Sequence, residues 1–429
     1  MKSEIIIVEE MIPEQNRNSF TLHWGWVVLG ASFITLFINY SIRIGAYSVL
    51  LPKMIQDLGI NMTQAGMIRA AYFFTYILFS PLMGWLTDRI GGRFVIGFFS
   101  LFLGTGTFLM GYASSLMTAV LFHGLVGVGA SAMWTPIVVL VQKWFGESRR
   151  GLALGILSPS YALGFGLMGV ILPPIVETYS WRMGWILLGI SGWFLLLLNI
   201  LLLRNDPVEK GVLPWGEHST TLRSVSSQPP PLSYKDAIRE APFWLIGISY
   251  FFISIGAYII SDLIVIYGTM ELKIPYPVAS ALISIMALAG IVGGFILMSL
   301  SDYIGRKRSL MINHFLLTLS ILWVILAGDN ILLLRIGIGC FGFFFSAIWP
   351  MYAACARDYF PKEIAGTMIG ILTIFYGIGA IFGPILAGRL TDVTGTFQWS
   401  FGLGALTTFI SAIPIGFLRK PGGFEKKSN

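Results

Sequence analysis

Twelve stretches of this chain are each apolar over roughly 20 residues, the length a helix needs to cross the hydrocarbon core of a bilayer. They run over 24–51, 64–87, 94–112, 117–142, 151–176 and 182–203, then over 242–268, 277–300, 309–327, 331–355, 363–389 and 397–418, and are numbered spans 1 to 12. In lipid every backbone N–H and C=O must find its partner inside the protein, so such segments become helices packed side by side. Charged residues make up only 11% of the chain and hydrophobic ones 55%, so most of the surface cannot face water. The expected fold class is an all-α membrane protein with twelve transmembrane helices.

An even number of spans puts both termini on one side. Placing them in the cytosol puts 21 of the 28 Lys and Arg residues in cytosolic loops and tails. Lys53, Arg69, Arg182, Lys273 and Arg389 then lie near the opposite surface, and Arg43 and Arg335 fall inside spans. The net charge of +7 reflects this topology rather than a nucleic-acid partner. The expected setting is the plasma (cell inner) membrane. Residues 1–22 lack the basic start and long apolar core of a secretory signal and read as a cytosolic tail. Two bundles, 23–203 and 241–418, are joined by a polar linker at 204–240, read as flexible around 229–231 and ending in a short surface helix at 234–240; 419–429 is a second tail. Cys340 and Cys355 fall on one expected helix about four turns apart, too far to pair.

The two halves echo one another. Asp88, Gly91 and Arg93 in the loop Gly84-Trp-Leu-Thr-Asp-Arg-Ile-Gly-Gly-Arg93 recur, with their spacing kept, as Asp302, Gly305 and Lys307. Trp144-Phe145, Gly151 and Gly155-Ile-Leu157 recur as Tyr359-Phe360, Gly366 and Gly370-Ile-Leu372, and Ser131-Ala-Met-Trp134 recurs as Ser346-Ala-Ile-Trp349. The offset of these two motifs is identical, and it differs by a single position from that of the loop. Matching offsets in several spans imply two copies of one six-helix unit around a shared axis, the plan of a transporter.

On these motifs the chain resembles the major facilitator superfamily over nearly its whole length, with the loop at Gly84 between spans 2 and 3 and its weaker copy between spans 8 and 9. Trp24-Gly-Trp-Val-Val28 and Trp144-Phe-Gly-Glu-Ser-Arg-Arg-Gly-Leu-Ala-Leu-Gly155 are similar to signatures of its monocarboxylate and oxalate:formate branch. The resemblance implies a fold of two pseudo-symmetric six-helix bundles and an anion-binding cation near the outer end of span 1, where Arg43 stands. Span 5 has no Gly-Pro step of the antiporter signature, and span 8 lacks the arginine those relatives carry.

Asn39, Tyr40, Arg43 and Tyr47 recur at three- and four-residue steps, a polar stripe suited to lining a central cavity, with a guanidinium fork that fits a carboxylate. Tyr258 and Asp262 share a face of span 7, the counterpart of span 1. Asp262 is either a proton site or the partner of Arg43 in an outer gate, and His123 in span 4 is a second candidate for proton exchange. Arg335 either lines the cavity or sits at the interface. Asp88, Arg89, Arg93, Arg149, Arg150, Asp302 and Arg306 are placed to latch the two bundles at the cytosolic face, a carboxylate meeting a helix N-terminus or an arginine across the interface. The pairs Gly151/Gly155, Gly290/Gly294, Gly366/Gly370 and Gly379/Gly383 are spaced for close helix approach. No metal-ligand spacing, phosphate loop or nucleophile elbow stands out, so neither cofactor nor enzyme chemistry is expected. The expected function is a secondary active transporter of a small, monocarboxylate-like organic anion, coupled to protons and working by alternating access, with membrane lipid as its surroundings. A facilitator of neutral or amphiphilic solutes, an anion exchanger, and an embedded sensor or enzyme are the alternatives.

Overall fold

The computed structural model describes residues 23–217 and 234–419; the tail at 1–22, the linker stretch at 218–233 and the end of the chain from 420 lie outside the described residues. The twelve spans among the described residues are Trp24–Leu58, Met62–Ile90, Gly92–Met110, Leu116–Trp144, Arg150–Thr178 and Trp181–Leu202, then Ala241–Glu271, Tyr276–Ile304, Arg306–Ala327, Ile331–Tyr359, Ile364–Thr394 and Phe397–Gly416. Several starts are set by side chains that accept from the orphan N–H groups of a first turn. Asn61 with Gln64 and Ser115 with Thr118 form reciprocal boxes at spans 2 and 4, and Ser180, Asn330 and Thr396 cap spans 6, 10 and 12. Of the short helix expected at 234–240, the turn Tyr234–Ala237 is present.

The duplication is visible in backbone angles. Gly91 ends span 2 at φ 85°, ψ 149°, and Gly305 ends span 8 at φ 87°, ψ 146°. Only glycine takes such angles without strain, so each repeat turns its corner at the same residue. Packing repeats in the same sense: spans 1 with 5, 2 with 4 and 3 with 6 in one bundle, and spans 7 with 11, 8 with 10 and 9 with 12 in the other. The seam between bundles joins span 2 to span 11 and span 5 to span 8, pairs that exchange under the pseudo-twofold.

Three spans are interrupted. The motifs Ser131-Ala-Met-Trp134 and Ser346-Ala-Ile-Trp349 break spans 4 and 10, ahead of Pro136 and Pro350, and turn Trp134 edge-on to Trp349 across the axis at 5.2 Å. Span 1 carries a π-helical turn at Ser41–Ala46. Ser41 fixes it with a hydroxyl proton shared between Phe37 O and Gly164 O, both at 2.9 Å, and Gly45 sits so close to span 5 that a Cβ would lie 2.8 Å from Phe165 O. A π turn inserts an extra residue and rotates the helix beyond it, a device often found at functional positions.

Trp24, Leu202, Lys307 and Gly416 meet at one face, termed the terminal face, with Trp24 Nε1 donating to Leu202 O and Lys307 Nζ to Gly416 O. The opposite face is the distal face. Cross-bundle hydrogen bonds gather toward the distal side: Tyr276 to Val49 O at 3.0 Å, Ser284 to Gly166 O at 2.6 Å, and the contacts of Asp262 and Asp392.

Candidate functional site

Arg43 is carried on the π turn of span 1, and its guanidinium is surrounded by rings. Its central carbon lies 5.7 Å from Tyr40, 5.9 Å from Tyr72, 5.6 Å from Phe73 and 5.1 Å from Tyr76. Nη2 donates to Tyr258 of span 7 at 3.1 Å, while Nε is buried without a partner. No carboxylate among the described residues lies within ion-pair distance of it. A cation so held has its π-faces satisfied and its in-plane donors largely free, which suits a planar or tetrahedral anion.

The expected stripe divides at the π turn. Tyr40 stays with Arg43, edge-on to Tyr161 at 4.6 Å, and Asn39 is buried with its Oδ1 unpartnered. Tyr47 is rotated away from Arg43 because of the extra residue: its hydroxyl donates to Ala65 O at 2.6 Å and its ring stacks on His123 at 5.1 Å. His123 is likewise not beside Arg43. It is fully buried between Tyr47 and Tyr72, with Nδ1 2.9 Å from Ile68 O, an atom that can only accept, and Nε2 unpartnered.

Asp262 does not pair with Arg43. Its partner is Arg69 of span 2, which donates from Nε at 2.8 Å and Nη2 at 3.0 Å to the two carboxylate oxygens, both side chains having no solvent exposure. Nη1 of Arg69 donates to the carbonyl of Arg43 itself. The charge count over loops places Arg69 near the surface; in the structure it lies seven residues, about 10 Å, inside its helix from Met62. An ionised group at that depth is placed for a reason, and this depth was the signal available in the sequence. Arg335, near the start of span 10, is exposed, the interfacial placement, and is not brought to the site.

The terminal-face latch is not made in this conformation. Asp88 is exposed; Arg89 lies over Trp85 at 4.4 Å; Arg93 donates to Ile200 O at 2.9 and 2.6 Å, closing the end of span 6. Arg149 lies over Trp215 at 5.4 Å, Arg150 donates to Gln142 O at 3.0 Å, and Arg306 holds Asp302 one turn away in its own helix pair. Each contact stays within its own half of the chain because the bundles are joined toward the other end. There, a carboxylate does meet a helix N-terminus across the seam. Asp392 of span 11 accepts from Met62 N at 2.9 Å, Thr63 N at 2.8 Å and Thr63 Oγ1 at 2.5 Å. Its image one repeat back is the exposed Glu177, whose helix opposite begins Tyr276-Pro277 and so lacks the second N–H.

Two glycine pairs depart from expectation. Gly290 and Gly379 do bring helices together, but around Gly151, Gly155, Gly366 and Gly370 a Cβ would meet nothing within 4 Å.

Two six-helix repeats enclosing a ring-lined cation, sealed toward one face, define a membrane transporter of the two-bundle kind. The chain belongs to the Major Facilitator Superfamily, whose model matches residues 29–339 and again 246–429, and it is an integral membrane protein. It is 24% identical over 424 residues to a hexuronate transporter of Bacillus subtilis strain 168, covering 92% of this chain and 96% of that one. It is 25% identical over 402 residues to a probable hexose phosphate transport protein of Chlamydia pneumoniae, covering 87% and 86%. In fold it is similar to the nucleoside transporter NupG, with a TM-score of 0.73 at 13% identity over 91% of this chain and 99% of that one.

Proposed function

We propose that this protein moves a small organic anion across the membrane by alternating access, with Arg43 as the group that binds the anion. The observation that carries the reading is the isolation of that guanidinium: four rings around it, one tyrosine hydroxyl on it, and no carboxylate among the described residues to neutralise it. A cation in such a site is retained for a ligand that supplies the missing charge. Tyr40, Tyr76 and Tyr258 around it supply hydroxyls that suit a polyhydroxylated acid, and the relatives named for a hexuronate and a hexose phosphate point to the same chemistry. The cargo class is accordingly drawn to include sugar acids and sugar phosphates beside monocarboxylates. Protons are the driving ion in this reading, carried by Asp262, whose partner lies across the seam, rather than by His123, whose contacts all lie within its own bundle.

The test is uptake by purified protein in liposomes under an imposed pH gradient, with radiolabelled glucuronate, glucose 6-phosphate, lactate, pyruvate, formate and oxalate offered singly. Accumulation of at least one above protein-free liposomes is expected. Failure with all six, by protein that elutes as a single folded species, sinks the anion reading.

A further inference from the structure

Arg69 and Asp262 belong to opposite bundles, and their side chains are sealed from solvent. Whenever the bundles part at the distal face this pair must come apart. While the face is open water carries both charges, but sealing it again over unpaired charges would bury them in a low-dielectric site, which is strongly unfavourable unless each has a partner. The smallest partner for the carboxylate is a proton. The partner for the guanidinium is close at hand, because Arg69 already shares two of the rings around Arg43: its central carbon lies 5.6 Å from Tyr72 and 5.0 Å from Phe73. Its third arm holds the Arg43 carbonyl, so Arg69 links the backbone of the π turn to the opposite bundle.

We propose that Arg69 and Asp262 are the coupling switch of this transporter: the distal face seals over the site either empty with the pair made, or with a proton on Asp262 and the anion bridging Arg69 and Arg43, so that proton and anion travel together in the same direction. Either one alone leaves a bare charge in the site, and the face does not seal. A monoanion and one proton make the loaded site electrically neutral relative to the empty one, in which the pair neutralises itself. The inference rests on the anion-transport reading and adds to it a second binding arginine and symport as the mode.

The groups around Asp262 fit this role. Span 2 presents Arg69 and Tyr72, span 1 presents Arg43 and Tyr47, span 4 presents His123 beside Tyr47, and span 7 itself adds Tyr258. Span 1 also places Ser48, whose hydroxyl donates to the Asp262 backbone carbonyl at 3.4 Å. Of the other helices packed on span 7, spans 8 and 12 carry no charged side chain in their distal halves. Span 11 carries Arg389, which is exposed, and Asp392, which is engaged with Met62 and Thr63, while Tyr376 stacks edgewise on Tyr258 at 5.7 Å. Asp262 is thus faced by guanidinium and phenol groups, with the imidazole of His123 behind Tyr47, and among the described residues the one carboxylate on the facing part of span 1, Asp57, is paired with Arg182.

Proteoliposomes carrying the full chain separate coupling from movement. Labelled glucuronate is offered under an acid-outside gradient, which reads accumulation, and separately with saturating unlabelled glucuronate on both sides and no gradient, which reads exchange. The wild type is expected to accumulate label about tenfold over the gradient-free level, whereas Asp262→Asn, a stand-in for the protonated acid, loses accumulation and keeps exchange to within about fivefold. Arg69→Gln is expected to raise the KM for glucuronate about tenfold or more. If either single variant fails to insert, Arg69→Gln with Asp262→Asn, which strands no charge, is read for accumulation, with exchange measured at glucuronate well above its raised KM. Wild-type accumulation in an Asp262→Asn or doubly substituted chain overturns the proposal. So does loss of exchange together with accumulation in well-folded Asp262→Asn, which keeps both binding arginines, because the pair would then be structural. Uptake by the wild type that ignores the gradient overturns the coupling and leaves the anion reading standing; absence of uptake of every anion tested removes that reading itself.

Discussion

Gly59 and Lys273 occupy the same turn of the two repeats, and both are left-handed, at φ 61° and φ 56°. Each stands between a leucine and an isoleucine, and in each the isoleucine N–H turns back on the helix just ended, Ile60 to Ile55 O at 3.3 Å and Ile274 to Gly268 O at 2.8 Å. The turn survived duplication in both copies, while the residue that takes it without a Cβ clash survived in one. Lys273 is the one non-glycine residue with positive φ among the described residues.

Restoring glycine there removes the clash, at the expense of a more flexible unfolded chain. Lys273→Gly is expected to stabilise the folded protein by a net of about 0.5 kcal/mol. The check is thermal unfolding in detergent, where the melting temperature rises and anion uptake stays at the wild-type level. A lower melting temperature would mean that the lysine side chain makes a contribution larger than its backbone strain.

Arg43 and Tyr258 give a graded series. Removing the cation in Arg43→Ala deletes a charge-assisted contact of about 1.5–3 kcal/mol, so anion uptake at low substrate is expected to fall about tenfold to a hundredfold. Arg43→Lys keeps the charge and loses the planar fork, and falls between. Tyr258→Phe removes one neutral hydrogen bond, about 1 kcal/mol, and is expected to be several-fold weaker. KM values from initial rates in liposomes check the order; equal uptake by Arg43→Ala and wild type would place Arg43 outside the site.

Helix number, spacing and duplication were legible because burial in lipid leaves only one way to satisfy a backbone, and because pairs such as Trp134 and Trp349 keep their offset in sequence. Arg43 with Tyr258 could be read as intramembrane polar groups on paired spans. The partner of Asp262 could not, since Arg69 and Asp262 come from different repeats with no common offset, and contact across the seam depends on how the bundles close. The fate of Tyr47 was hidden by the π turn: a constant step of 3.6 residues puts it beside Arg43, and one extra residue swings it toward His123. A carboxylate latch was anticipated at Asp88 and not at Asp392, because both lie near helix ends and only the conformation decides which one is engaged.

Asp392 makes three hydrogen bonds to the start of span 2. A carboxylate there also meets the positive end of the helix dipole, worth about 0.3–1 kcal/mol beyond the bonds themselves. Asp392→Ala is expected to shift the population toward a distally open state. Spin labels at Tyr179 and Val393, both well exposed and on opposite bundles, report it. A longer distance should appear or grow in the variant, and an unchanged distribution would limit Asp392 to local capping.

Glycines on span 11 are expected to respond in opposite ways at two places along the same helix. At Gly388 a Cβ would fall 2.2 Å from Met62 O, and at Gly66 facing it 2.5 Å from Pro384 O, both against backbone that cannot swing aside. Gly388→Ala and Gly66→Ala are therefore expected to force spans 2 and 11 apart, lengthening the same spin-label distance and lowering uptake. At Gly370 of span 11 and Gly155 of span 5 a Cβ meets nothing within 4 Å, so alanine there is expected to firm the helix by up to about 1 kcal/mol and to leave the distal distance untouched. If transport closes the terminal face by bringing these bare helix surfaces against their neighbours, Gly155→Ala and Gly370→Ala should still slow turnover while raising the melting temperature. Turnover at the wild-type rate in both would mean that closure at the terminal face uses other surfaces.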